Sequence, residues 1–159
     1  MYSTLLHRPK NSGRFEKLMD LYERNYILMR LLAPDLRTMK DGCFVSRAKG
    51  MPALELRDIT HSKYTSTFKL TYHFSSTQPG RKPYEPDLFL RLYHDARSCE
   101  VMSGLLPEER LEVRRTRDLD DGERLNHFLH RWLSYCLRQG HCFGEHKVAK
   151  EMLDAYCTQ

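Results

Sequence analysis

The chain has 159 residues, 40% hydrophobic and 11% aromatic, enough apolar material for a sizeable core, which excludes a disordered chain. No run approaches the roughly 18 apolar residues of a membrane-spanning helix. The net charge is +5, with 13 basic and 7 acidic side chains in residues 1–80 against 13 and 14 in residues 81–159. Lys and Arg are scattered singly except for Arg81-Lys82 and Arg114-Arg115, which argues against the basic stripe of a dedicated nucleic-acid binder.

Residues 1–12 read as a loose polar arm broken by Pro9 and Asn11-Ser12-Gly13, ahead of one domain over 13–159. The arm has no apolar segment of the kind an export signal carries. Five cysteines at irregular spacings (Cys43, Cys99, Cys136, Cys142, Cys157) read as free thiols, and together these features predict a cytoplasmic protein. A helix is predicted over 14–32. Phe15, Leu18, Tyr22, Met29 and Leu32 recur at helical spacing, Met19 and Tyr26 widen the stripe, and Ala33-Pro34 ends it.

The middle reads as β. Over 63–74, Tyr64, Phe68, Leu70, Tyr72 and Phe74 share one face, and Thr65, Thr67, Lys69, Thr71 and His73 share the other. Over 87–94, Leu88, Leu90 and Leu92 oppose Phe89, Arg91 and Tyr93. One apolar and one polar face predict antiparallel pairing. Shorter strands are expected at 43–48, 53–59, 98–103 and 110–114, separated by turns and by a longer loop over 75–86 with Pro79-Gly80.

The last third returns to helix. Asp120 and Glu123 suggest a capping box. Leu125, Phe128, Leu129, Trp132, Cys136 and Leu137 form one face, and Gly140 suits the position just past the helix end. A final helix over 145–156 would place Val148, Ala149, Met152 and Tyr156 together. The predicted fold class is α+β: an antiparallel β-meander of four to six strands, with an N-terminal helix and one or two C-terminal helices packed on one face.

Two stretches carry a family resemblance. Leu90-Arg91-Leu92-Tyr93-His94-Asp95-Ala96-Arg97, continuing to Glu100-Val101, resembles the "RLYHDA…EV" signature of the proteobacterial YqiB-like family. Leu125-Asn126-His127-Phe128-Leu129, Trp132-Leu133, Tyr135-Cys136-Leu137 and Gly140 are similar to that family's "LN-FL-WL-YCL-G" segment. Glu23-Arg24-Asn25-Tyr26 with Arg30-Leu31-Leu32, and Lys63-Tyr64-Thr65-Ser66-Thr67, agree with it. The pattern fails over residues 108–115, where the family carries an aromatic, proline-containing stretch. The resemblance implies a bacterial cytoplasmic domain and no established activity.

Several constellations are candidates for function. His94 and Asp95 invite an acid–base pairing, but neighbours on a strand face opposite ways. Asp95 fits a hairpin turn instead, bonding its own backbone, and His94 fits the core's edge. The polar sheet face offers Arg91 and Tyr93 with Arg97 nearby: a guanidinium fork for phosphate or carboxylate beside a stacking ring. Arg91, Tyr93, His94, Asp95 and Arg97 are therefore the candidate ligand-binding residues for a small anion such as a nucleotide. Arg124, His127, Arg131 and Arg138 form the candidate partner-binding stripe of the long C-terminal helix. Cys136, His141, Cys142 and His146 have metal-ligand chemistry, but C-x4-H-C-x3-H fits no standard zinc spacing. No metal, cofactor or catalytic set is assigned. The first expectation is a non-enzymatic regulatory or adaptor module that binds a protein partner, and the second is a small-anion binder.

Overall fold

The computed structural model describes residues 12–74, 84–105, 112–113 and 119–157. The expected arm, the Pro79-Gly80 loop and most of the segment over 108–115 lie outside these residues. The chain runs α1 (Ser12–Leu32), a short 3-10 turn (Leu36–Thr38), β1 (Phe44–Ser46), β2 (Ala53–His61), β3 (Thr65–His73), β4 (Tyr84–Tyr93), β5 (Ser98–Leu105), β6 (Glu112–Val113), α2 (Leu119–Arg138) and α3 (Lys150–Tyr156). The strands pair antiparallel in sequence order. The fold is α+β.

Period-2 alternation builds the inner face of the sheet. Leu56 pairs with Leu70 and Leu70 with Leu88, while Phe68 pairs with Leu90 and Leu90 with Val101. All six are buried against Leu28, Met29 and Leu32 of α1 and Leu125, Leu129 and Leu133 of α2. A bulge between Arg57 and Thr60, with Asp58 at φ +54°, keeps Ile59 inward after the strict alternation breaks. Gly104 lets β4 and β5 approach, since a Cβ there would stand 2.2 Å from Leu88 Cδ2.

Four local expectations are corrected. In α1 the buried residues include Leu18, Leu21, Asn25, Leu28, Met29 and Leu32, while Phe15 is 55% exposed. Leu18, Met29 and Leu32 of the expected stripe are thus buried, but Phe15 is not, and the inner face runs instead through Leu21, Leu28 and the buried Asn25. Tyr64 precedes β3 and is exposed, and Ser66 takes the inner-face position. Asp120 and Glu123 lie within α2 and are spent on Arg14 of α1, not on a capping box: Arg14 Nε donates to Glu123 Oε1 at 2.8 Å and Nη2 to Asp120. Two carboxylates held by one guanidinium form a charge-assisted contact that ties the first turns of α2 to α1.

The final helix starts only at Lys150. The chain after α2 is held by Phe143 N–H on the Leu32 carbonyl (2.8 Å), and Leu153, not Met152 or Tyr156, packs on the core. The end of α2 follows its residues closely. Gly140, at φ +98°, lets its N–H reach the Leu137 carbonyl (3.1 Å) and His141 N–H reach that of Cys136 (3.0 Å). This Schellman closure turns His141 into the interior.

A candidate ligand cavity at the β4–β5 turn

The residues of the resembling stretches divide between architecture and surface. Asn126 lies on the inner face of α2 and bonds in three directions. Its Oδ1 accepts Val101 N–H of β5 (3.1 Å), its Nδ2 donates to the Gly122 carbonyl (2.8 Å), and its own carbonyl accepts Asn25 Nδ2 (3.1 Å). Asn25 Oδ1 in turn meets His130 Nδ1 at 3.1 Å. A carbonyl-type Oδ1 only accepts, so His130 Nδ1 carries the proton. Burial holds His130 below the ordinary histidine range. These polar residues join α1, α2 and β5 at the centre of the core.

A second chain of hydrogen bonds closes the end of the sheet. His61 Nε2 lies 2.6 Å from the Met39 carbonyl, His61 Nδ1 lies 2.6 Å from Ser66 Oγ, and Ser66 Oγ lies 2.7 Å from His94 Nε2. The carbonyl fixes the direction. His61 donates from Nε2 to that carbonyl; in the neutral tautomer this sets, its Nδ1 accepts the Ser66 hydroxyl and Ser66 Oγ accepts from His94 Nε2–H. Burial, and then Arg37, push His94 below its usual pKa, so it stays neutral at pH 7. His94 thus sits at the core's edge. Asp95 Oδ1 accepts Ala96 N–H at 2.9 Å within the turn.

The five candidate ligand residues are not brought together. Arg91 and Tyr93 lie on the open face of the sheet, away from His94. Tyr93 hydroxyl donates to Glu100 Oε1 at 2.6 Å, and Arg91 bonds the same hydroxyl. Tyr22 also donates to Glu100, and burial with that carboxylate raises its pKa to about 12. A carboxylate at the centre of this group repels an anion. The neighbouring face is likewise laced with internal pairs: Arg57 with Asp87 (3.7 Å), Lys69 with Asp58 (3.8 Å), and His73 with Glu55 (3.2 Å).

The α2 stripe divides as well. Arg124 pairs with Asp121 (3.2 Å). Arg138 is engaged by α3, through Asp154 (3.8 Å) and the Cys157 carbonyl (3.3 Å). Arg131 is exposed. His127 lines a cavity of about 670 Å³ with Arg14, Lys17, Asp20, Arg24 and Glu123. Of the metal-type cluster, Cys136 Sγ donates to Tyr72 Oη (3.2 Å), His141 Nδ1 meets Ser46 Oγ (3.0 Å), and Cys142 turns toward the Leu31 carbonyl. His146 is exposed. No group of three His, Cys, Asp or Glu among the described residues could hold a metal ion.

Arg97 belongs to a different place. It lines a cavity of about 650 Å³ with Glu23, Tyr26, Ile27, Arg30 and Leu31 of α1, Ala96 of the turn, and Met152 and Tyr156 of α3. Arg97 holds φ +52°, a conformation costing a non-glycine residue roughly 1–2 kcal/mol. Arg30 is steadied by the Pro34 carbonyl (2.9 Å), a neutral acceptor that leaves its charge uncompensated. Neither arginine has a carboxylate partner among the described residues. Sequence reading placed Arg97 on the list for its neighbours in β4. It missed Arg30, Tyr26 and Tyr156, whose only signal was chemistry shared with Arg97 across long separations.

Comparison with known proteins agrees with the resemblance. The Escherichia coli strain K12 protein named "Uncharacterized protein YqiB" is 29% identical over 137 residues, covering 79% of this chain and 90% of that protein. The same figures hold for the proteins of that name from strains O6:H1 and O157:H7. No solved structure matches the chain. Residues 27–142 match the family described as "Protein of unknown function (DUF1249)", more than half of the sequence, and the chain belongs to that family.

Proposed function

We propose that this is a non-enzymatic regulatory or adaptor module of the cytoplasm that binds a protein partner along the outer face of α1. The observation that carries this reading is a pair of adjoining cavities along α1. The cavity beside α2 and the cavity beside the turn share Glu23 and Ile27. They follow α1 from Arg14 to Leu31, about 25 Å at 1.5 Å per residue. Half-buried Ile27 and Leu31, with exposed Met152 and Tyr156, supply an apolar floor at one end, and charged side chains line the other. A mixed groove of this length fits a peptide segment with apolar anchors. The histidines engaged within the fold support a non-catalytic reading, since buried His130 and His141 and the His61–Ser66–His94 chain each bond a partner that holds the fold. Five free cysteines fit a reducing compartment.

The test is affinity capture from native lysate with tagged wild-type protein and with Ile27→Glu and Met152→Asp variants of unchanged circular dichroism. A stoichiometric species retained by the wild type and lost by both variants is expected. Identical capture by all three baits, or none by any, defeats the reading.

The second reading is a small anionic ligand such as a nucleotide. The Arg91–Tyr93 face favours it less than Arg30 and Arg97 do, because Glu100 occupies that face.

A further inference from the structure

We propose that the cavity between α1, the β4–β5 turn and α3 is a binding site for a small aromatic anion, a ring bearing a phosphate or carboxylate, held by Arg30 and Arg97 with Tyr26, Tyr156 and Met152 against the ring. Three segments remote in sequence form its wall. Its volume of about 650 Å³ falls within the roughly 300–1,000 Å³ typical of small-molecule sites.

The cations set the ligand's charge. Arg14, Arg57, Lys69, Arg124 and Arg138 all pair with carboxylates, whereas Arg30 is oriented by a carbonyl and Arg97 stands exposed. Guanidinium groups in that condition suit planar, bidentate acceptors such as phosphate and carboxylate. Arg97 also occupies a turn position where glycine or asparagine would sit with less strain. A strained, exposed arginine on a cavity wall is the kind of outlier that points to use of its side chain.

The apolar residues set the ligand's body. Tyr26 is half-buried and packed on the core, so its ring is held in place, while Tyr156 is 44% and Met152 39% exposed. Two phenol rings and a thioether offer stacking and sulfur–aromatic contact to a planar group. Glu23, on the same wall, opposes the anion and lowers affinity. The site extends the partner reading without needing it. Because this cavity is also one end of the proposed partner groove, ligand occupancy and partner docking there would compete.

The test is titration of the full chain with phenyl phosphate, adenosine monophosphate, inorganic phosphate and phenol, followed by amide and methyl NMR shifts. Saturable shifts confined to Tyr26–Leu31, Ala96–Arg97 and Met152–Tyr156 are expected with the aromatic phosphates. Inorganic phosphate and phenol should each bind at least about tenfold more weakly, and Arg30→Glu and Arg97→Glu should weaken phenyl phosphate at least about tenfold. Glu23→Gln should tighten it severalfold, and Arg97→Gly should lose binding with no fall in Tm, which separates the site from the fold. Equal binding of inorganic phosphate, unchanged affinity in both charge reversals, or no saturable shift at these residues overturns the proposal. None of these readouts requires a protein partner, so failure of the partner reading leaves this test intact.

Discussion

Replacing Asn126 with alanine tests whether one side chain holds the sheet edge to the helices. Beyond Gly104 and Leu105, where β6 pairs, β5 has no sixth-strand neighbour in the described register, so Val101 N–H depends on Asn126 Oδ1. Val101 is 1% exposed and Asn126 fully buried, so water cannot substitute without rearrangement. Orphaning the Val101 N–H should cost about 1–3 kcal/mol, and losing the bond to Gly122 about 0.5–1.5 kcal/mol. Alanine recovers up to about 0.7 kcal/mol in helix propensity. The Asn25 bond survives, because its acceptor is the Asn126 backbone carbonyl. The net loss is about 1–4 kcal/mol, centred near 2, which at this chain length lowers Tm by roughly 4–8 °C. Urea denaturation measures the loss, and native-state hydrogen exchange locates it: the Val101 amide should exchange faster than those of Leu90 and Leu92. Asn126→Asp keeps an acceptor for Val101 but loses the donor to Gly122, so its Val101 amide should stay protected while overall stability falls. A loss under about 0.5 kcal/mol for Asn126→Ala, or an unchanged Val101 exchange rate, refutes the argument.

Arg97→Gly should raise stability by about 0.5 kcal/mol, the roughly 1–2 kcal/mol cost of a left-handed non-glycine less the roughly 0.4–1 kcal/mol of added unfolded-chain entropy; a Tm below wild type would refute it. Burial places the folded pKa values of His94, His130 and His141 below 6.5, so the unfolded chain takes up protons that the folded one does not. Stability should therefore be full above pH 6.5 and decline as the pH falls toward the folded values, and a urea midpoint that stays flat from about pH 7.5 down to about pH 5 would contradict this. Cys43 is exposed, while Cys136 is buried with its thiol pushed up to about 12 and Cys99 is held higher still by burial. Ellman's reagent should therefore label Cys43 in the folded protein but reach Cys99 and Cys136 only on unfolding, and mass mapping of labelled peptides checks the order.

Where one face is uniformly apolar, periodicity alone locates it. Leu88, Leu90 and Leu92 of β4 and Leu125, Leu129, Trp132 and Leu137 of α2 are buried as their spacing predicts. The expectations that failed did so where the core contains polar groups or where a remote partner competes. Asn25 at the centre of α1 cannot be read as interior until Asn126 and His130 face it, about a hundred residues later in the chain. Ser66 belongs on the inner face only because His61 and His94 arrive from adjacent strands. Asp120 and Glu123 look like a local cap until Arg14 is brought to them by the packing of α1 on α2. In each case the deciding interaction is long-range, and a linear pattern does not carry it.

The same physics separates the residues that build this fold from those that line the cavity at the turn. The resembling stretches supply Leu90 and Leu92 to the core, His94 to the chain that closes the sheet, Val101 and Asn126 to the edge contact, and Asn25 to the helix pair. Each is architectural, and all but Asn25 fall within the matched residues 27–142. The cavity at the turn is composed differently. Arg30 and Arg97 lie within the matched span, whereas Met152 and Tyr156 lie beyond it on α3. A cation pair set by the common scaffold is thus completed by an aromatic wall from a separate segment, which is tied back by Phe143 on Leu32 and by Arg138 on Asp154. On this account charge selection resides in Arg30 and Arg97, and ring selection in α3 together with Tyr26 of α1. Weakening α3 alone, with Tyr156→Ala and Met152→Ala, should narrow the gap between phenyl phosphate and inorganic phosphate while leaving phosphate affinity itself within about twofold. A fall in phosphate affinity equal to the fall for phenyl phosphate would show that the two functions are not divided in this way.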